Sequence, residues 1–392
     1  MKKLFVIIGI VLIGILLTAA VSSNSIGGSI KKLSTTPKET IKKEFEVKPG
    51  GKVIIDLKTG ASIEIKGWDK DLLSAEALTR NKNIEFSFVK NGNTIEITSD
   101  YTTDDDNHNS NAKLVLQIPK KFDVEFSTMG GEVTISYVEG KMEGKTMGGE
   151  LDLRNLKGYL DVTTMGGAIT LKDSEVDGRA KTMGGEVLVE NVKGDINASS
   201  MGGKVQHINV SGKEKSVGKE VDISTMGGEL DIDRAPNGAR LKTMGGEITI
   251  NYAGKFLDAE TMGGDISAKE VDGWIKAKTM GGDVEVKMVG DPKDGNRDVK
   301  LTSMGGDITL VVPDGLSMNI DIEIAHTKNS DKDFEDCKIV SDFKIDEKRT
   351  TEWERKNGNS ARKYVYGKGS ADGGKNKITI RTINGSVYLK KG

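Results

Sequence analysis

The sequence predicts an all-β protein, a single-stranded parallel β-solenoid (β-helix) of about 18 residues per coil with irregular N- and C-terminal coils. Three observations predict it. Thr-Met-Gly-Gly begins at 128, 146, 164, 182, 225, 243, 261 and 279, and Ser opens two further copies at 200 and 303. Successive copies lie 18 residues apart except for two steps of 25 and 24, which read as the same unit with a short insertion. Around every copy apolar and polar residues alternate with the period of two that marks a strand, and no 3.6-residue pattern persists between 128 and 313.

Composition agrees with a thin, stacked core. The chain has 392 residues and 49 glycines but only 5 % aromatics, too few for a large spherical interior. Its 57 basic and 59 acidic residues nearly balance, so nothing favours nucleic acid as a partner. A single cysteine, Cys337, excludes an internal disulfide framework.

Residues 1–22 read as a signal peptide or membrane anchor. Lys2 and Lys3 precede an apolar run over 4–20, and Ala20-Val21-Ser22 offers small residues for cleavage. Either reading places the rest outside the cytoplasmic membrane: secreted, periplasmic or on the cell surface, with 4–20 as the anchor if it is kept. Residues 23–43 form a polar linker. An irregular N-terminal solenoid section follows over 44–127. In it Val53, Ile55 and Leu57 alternate, Thr59-Gly60 breaks the strand, and Ile63 and Ile65 resume it. Residues 74–80 leave room for a helical turn. A hairpin is expected around Asn91-Gly92-Asn93, an exposed loop over 101–111, and a strand through Leu114, Leu116 and Ile118 that Pro119 ends.

The regular section spans 128–313. Counting from each Thr or Ser, the sixth place is always aliphatic, from Val133, Leu151 and Ile169 to Ile308. The eighth is aliphatic too, apart from Ala268 and His207. One unit buries too little apolar area to offset the ordering of its own backbone, so units must stack, with equivalent strands about 4.7–4.9 Å apart. Thr128, Met129, Gly130 and Gly131 then form a structural turn, repeated at Thr146, Gly148 and Gly149 and again at Thr243, Gly245 and Gly246. The inward places before and after the turn are out of phase, so the glycines are expected to supply a positive φ. Thr fills a narrow corner and bonds the backbone, and Met is expected to pack the other corner. A methionine strip for copper or for a hydrophobic partner is the alternative.

The place after Gly-Gly holds Glu132, Glu150, Glu186, Glu229, Glu247, Asp265, Asp283 and Asp307, with Ala168 and Lys204 as interruptions. An exposed face offset by neighbouring lysines is one reading of this row. Calcium between carboxylates in register is the other, and beyond it and the copper alternative the sequence suggests no cofactor. The two insertions, 211–220 and 289–298, fall at the turn opposite Thr-Met-Gly-Gly and should project from one edge. Past Pro313 an irregular C-terminal section (314–392) holds short strands around 318–324, 340–345 and 363–366. It ends in a terminal coil where Thr382-Ile383-Asn384-Gly385 stands in for the motif.

No catalytic constellation emerges. His108, His207 and His326 are far apart and lack metal-ligand spacing, and no nucleophile elbow or phosphate loop is present. Every coil carries acids, so spacing cannot nominate a hydrolytic pair.

Taken together, the opening strand-Thr-Gly-strand unit over 53–68, the strand over 114–119, the Thr-x-x-Gly pattern from 124 onward and the closing 308–313 resemble the bacterial "putative adhesin" family of secreted or membrane-anchored β-solenoid domains of unknown function. The likeness covers 41–392. The Met-Gly-Gly form is a departure, because the pattern of that family has Asn-Gly, as at Asn384-Gly385. The resemblance implies a non-catalytic extracytoplasmic module for adhesion, binding or scaffolding, with envelope polysaccharide or a surface protein as partner. The alternative is a polysaccharide-acting enzyme of parallel β-helix type.

Overall fold

The computed structural model describes residues 39–102, 112–211, 220–355 and 360–392. The leader, most of the tether, most of the loop expected over 101–111 and the middle of the first insertion lie outside these residues. The chain divides into residues 1–37 and residues 38–392, and the thirty strands among the described residues belong to the second unit. A 3₁₀ turn at Phe334–Asp336 is the only helical element among the described residues, and none is a helix long and apolar enough to cross a membrane.

The repeat dictates the pairing. In the middle of the chain each strand lies parallel to its copy 18 residues on: Leu151 opposite Ile169, Ile169 opposite Val187, Val187 opposite Val205. The two longer steps do not disturb this. Val205 pairs with Leu230 and Val284 with Ile308, so the parallel register resumes past each insertion. Aliphatic side chains therefore sit on aliphatic side chains from unit to unit. The sixth-place residues are all buried, each contributing roughly 1.5–3 kcal/mol of apolar burial.

The sheet as a whole is mixed, which corrects the expectation of one parallel winding from end to end. At the N-terminal end Leu72–Thr79 runs antiparallel to both Glu39–Glu46 and Ala112–Pro119. Ile84–Asn91 and Thr94–Tyr101 form the antiparallel hairpin, with Gly92 at φ 61° in its turn. At the other end Met318–Thr327 pairs parallel with Asn376–Ile383 and antiparallel with Arg362–Ala371. A parallel stack exposes unpaired backbone on its first and last strands, and chain that folds back across them satisfies those groups.

Two local expectations change with this. Residues 74–80 form no helical turn: Leu73, Ala75 and Ala77 are buried on alternate places of a strand. The first strand begins at Glu39, inside the stretch read as linker, because it hydrogen-bonds along Leu72–Thr79.

Candidate functional site

The Thr-Met-Gly-Gly corner is built by its threonine. Thr164 is fully buried; its Oγ1 donates to the carbonyl of Gly149 in the preceding unit (2.9 Å) and accepts from the N–H of Gly167 in its own (3.2 Å). Thr243 repeats the arrangement with Gly228 and Gly246 at 2.9 and 3.2 Å. Thr146 accepts from Gly149 at 3.1 Å, and Thr128, in the first copy, donates to Ala61.

The glycines act differently from the sequence expectation. None of the ten Gly-Gly pairs has a positive φ. The second glycine is required by close approach instead. A Cβ on Gly131 would lie 2.1 Å from the carbonyl oxygen of Ala61; on Gly149, 1.9 Å from that of Gly131; on Gly246, 2.2 Å from that of Gly228. The first glycine has more room: a Cβ on Gly130 meets nothing within 4 Å, the nearest atom lies 3.9 Å away at Gly148 and 3.4 Å at Gly245, and the approach tightens to 3.2–3.3 Å only at Gly263, Gly281 and Gly305. Left-handed residues do occur, at the opposite corner. Tyr137, Asn155, Asp173, Asn191 and Asn209 stand 18 residues apart with φ between 50° and 59°. Asn and Asp tolerate that region best among side-chain-bearing residues, and here they also join unit to unit, Asn191 to Asp173 and Asn209 to Asn191.

Methionine does not pack the corner. Met129 is 55 % exposed, and the others point outward too, down to 43 % at Met183, Met280 and Met304, with Met201 half-buried. The pleat shift explains this. Thr is inward, the next two places are outward, and the second glycine is inward again, so the one-residue change of phase happens at Met and the first glycine.

The carboxylate row is exposed at Glu132, Glu150, Glu229, Glu247, Asp265 and Asp283 and half-buried at Asp307. Its aspartates are engaged by backbone: Asp265 accepts from the N–H of Asp283, Asp283 from that of Asp307, and Asp307 from that of Ser386, at 2.7–2.8 Å. Lys204, the interruption, lies 3.5 Å from Glu229. Among the described residues no three His, Cys, Asp or Glu side chains converge on a point where a metal ion could sit.

The departures from the repeat collect at the opposite edge. A cleft of about 850 Å³ opens where the first insertion leaves the sheet, lined among others by Tyr159, Asp177, Asp195, His207, Glu220 and Arg234. Tyr159 pairs with Asp177, and the N–H of Asp195 donates to the Asp177 carboxylate at 2.9 Å, so these three stack in one row along successive units. Farther along the same row, Gly238 leaves room for Phe256, whose ring lies 2.2 Å from where a Cβ would stand. Phe256 then stacks on Trp274 with centroids 4.9 Å apart and planes 10° from parallel. Arg240 caps Phe256 at 5.1 Å, a cation–π contact. A second cleft, about 390 Å³, adjoins Trp274 and the second insertion at Asn296 and Asp298. That insertion is folded around Arg297, which is 3 % exposed, donates to the carbonyls of Val289, Asp291 and Asp294, and pairs with Asp272 at 2.6 Å.

His207 forms the inner wall of the larger cleft, between Val189 and Ile232 in the aliphatic ladder. It is 3 % exposed, and neither ring nitrogen has a hydrogen-bond partner among the described residues. Burial pushes its pKa down to about 4, so the ring is neutral at pH 7. The other described histidine, His326, lies 3.8 Å from the buried thiol of Cys337, whose pKa burial raises. His108 falls outside the described residues. The sequence singled out His207 and both insertions. It did not show that the first insertion and His207 share a cleft, nor that Phe256, Trp274 and Tyr159 belong to one row. Arg297 gave no signal beyond a basic residue in a loop.

Residues 52–389 match the Toastrack DUF4097 family. The chain belongs to this family. It is the relationship that the strand-Thr-Gly pattern suggested. No curated protein matches the chain. Among solved structures, this Toastrack chain is similar to a putative adhesin from Bacteroides fragilis, with 17 % identity and a TM-score of 0.31 over 71 % of this chain and 98 % of that one. It is similar also to a putative cell adhesion protein from Clostridium sporogenes, at 11 % identity and a TM-score of 0.18 over 90 % and 100 %. A putative lipid binding protein from Parabacteroides distasonis matches at 16 % identity and a TM-score of 0.28 over 64 % and 97 %.

Proposed function

We propose that this chain is a non-catalytic, adhesin-like binding protein outside the cytoplasmic membrane. Its 128–313 section acts as a β-solenoid of 18-residue coils that presents one binding edge, and 44–127 and 314–392 serve as its end sections. The leader over 1–22 exports or anchors it, and envelope polysaccharide is the ligand. One observation carries the choice of ligand: the row that runs from Tyr159 through Asp177 and Asp195 to the stacked Phe256 and Trp274, with a cleft at each insertion. Flat rings provide apolar faces for sugar rings, and carboxylates accept from hydroxyls. The clefts fall four copies of the motif apart along the stack, in the second half of the units opening at Ser200 and Thr279. At about 4.8 Å per unit they lie about 20 Å apart, a span suited to a chain molecule rather than a small ligand. The row's acids disfavour an anionic polymer, so neutral or amino-sugar glycans are expected.

Binding of the full chain to a glycan array, with an assay for new reducing ends, tests this. Retention of neutral or amino-sugar glycans, weakened about tenfold by Trp274→Ala or Tyr159→Ala and without cleavage, supports the reading. New reducing ends establish the polysaccharide-acting enzyme instead. Retention of surface proteins but no glycan overturns the choice of ligand.

A further inference from the structure

Four places of the unit never vary apart from Ser for Thr, and packing explains two of them. Thr is held by its two backbone bonds and the second glycine by the clash any side chain would make. Met is demanded by neither, and the first glycine is crowded only in its last three copies, at 3.2–3.3 Å, yet all ten copies keep both. Duplication alone does not account for this. The place three residues past Met has drifted to Ala168 and Lys204, and the outward place two further on reads Thr134, Asp152, Thr170 and Leu188 in successive units.

Stacking turns these two places into a continuous surface. The N–H of Met165 donates to Thr146 at 3.2 Å and that of Met183 to Thr164 at 3.3 Å. Across the 25-residue step the N–H of Met226 still donates to the carbonyl of Met201 at 3.0 Å, and across the other Gly306 sits on Gly282. The result is an unbroken file of ten thioethers about 43 Å long, nine steps of about 4.8 Å. A shelf of bare glycine backbone runs beside it.

We infer that this file binds a soft monovalent metal, Cu(I) or its redox-inert stand-in Ag(I), between thioethers of successive units. Thioether sulfur selects Cu(I) over hard cations. The unit spacing suits it: an ion midway between two sulfurs about 4.8 Å apart lies about 2.4 Å from each, close to the roughly 2.3 Å of a metal–sulfur bond. No histidine or cysteine lies on this row to favour zinc, and the carboxylates form a separate row three residues farther along the chain. Leucine would serve an apolar docking ridge as well as methionine does, and the unit never uses it here.

The test titrates the full chain with Ag(I), and anaerobically with Cu(I) against a competing chelator, and reads stoichiometry by mass and ligand type by X-ray absorption. Ten thioethers taken two per ion predict about five ions per chain, with sulfur as the only near neighbour. Met165→Leu, Met183→Leu, Met201→Leu and Met226→Leu together remove about two of the five and leave the melting temperature unchanged, because the side chains are outward. Norleucine in place of every methionine removes the sulfur alone and abolishes uptake, which separates lost ligands from altered folding. No uptake by the unmodified chain, equal uptake by the leucine or norleucine protein, or oxygen and nitrogen neighbours each overturn the inference. So does capture of an apolar peptide or lipid vesicle by a row that holds no metal.

Discussion

Replacing His207 with isoleucine should stabilise the protein and flatten its response to acid. Every other unit except that of Ala268 has an aliphatic residue at this place, and Val189 and Ile232 stack on either side. The wild-type ring brings two buried nitrogens with no partner among the described residues. Leaving polar atoms unsatisfied costs about 1–3 kcal/mol, which the substitution should recover at pH 7. The acid response follows from the pKa, which burial lowers from 6.5 to about 4. As pH falls below 6.5 the unfolded chain takes up a proton that the folded chain refuses, so stability drops; below about 4 both hold it and the loss levels off. The full loss is about 3 kcal/mol, of which about 2 kcal/mol has gone by pH 5. Urea midpoints of wild type and His207→Ile at pH 7 and pH 5, with amide exchange in Val187–Lys193 and Leu230–Ala235, measure both effects. A lower midpoint for the variant at pH 7, or an equal loss in both proteins between the two pH values, would refute the reasoning.

The two glycines of one pair should respond in opposite ways: Gly149→Ala places a Cβ 1.9 Å from a carbonyl oxygen and should lose at least about 2 kcal/mol, whereas Gly148→Ala should be neutral or slightly stabilising. Thermal melts of both variants decide it, and equal effects would sink the close-approach account. Thr164→Val deletes the hydroxyl that joins Gly149 and Gly167 and should cost about 1–3 kcal/mol, while Thr164→Ser, the residue the chain uses at 200 and 303, should cost less than about 1 kcal/mol. Millimolar calcium should leave the melting temperature where it is, because Asp265, Asp283 and Asp307 already accept backbone N–H groups; an upward shift would place an ion on the row. Cys337, fully buried with its thiol pKa raised, should resist alkylation in the native protein and react on unfolding.

What the sequence disclosed and what it withheld divide along a physical line. Hydrophobic parity is written in the chain, so the inward file from Val133 to Ile308, the hairpin at Gly92 and the fault at His207 were all legible. Backbone conformation is not written there. Gly-Gly is compatible with a positive φ and equally with close approach of another strand, and only the stacked neighbour at 1.9–2.2 Å distinguishes them. A signal for the true left-handed corner was present: Asn155, Asn191 and Asn209 at multiples of 18, with Asp173 between them. Asparagine recurring at one place of a strand pattern, where it has poor strand propensity, marks that conformation better than glycine does. The antiparallel ends were hidden for a different reason. Leu73, Ala75 and Ala77 show strand parity, but a period of two carries no direction, and direction depends on which open edge the segment must cover.

The same distinction governs the search for function along this chain. A repeated residue that packing requires says nothing about a ligand, which disposes of threonine and the second glycine. A repeated residue that packing leaves free is the informative kind, and the methionines qualify only because the pleat changes phase beside them and turns them outward. A singular residue that packing opposes is informative in the complementary sense. His207 carries two nitrogens without a partner among the described residues in an aliphatic ladder, where isoleucine would be the more stable choice, and it stands in the wall of the cleft at the first insertion. Stability and use therefore pull in opposite directions at this one position. The isoleucine variant separates them if it gains stability while the glycan retention measured for the wild type declines. A variant that gained stability and kept full retention would confine the recognition surface to the aromatic row.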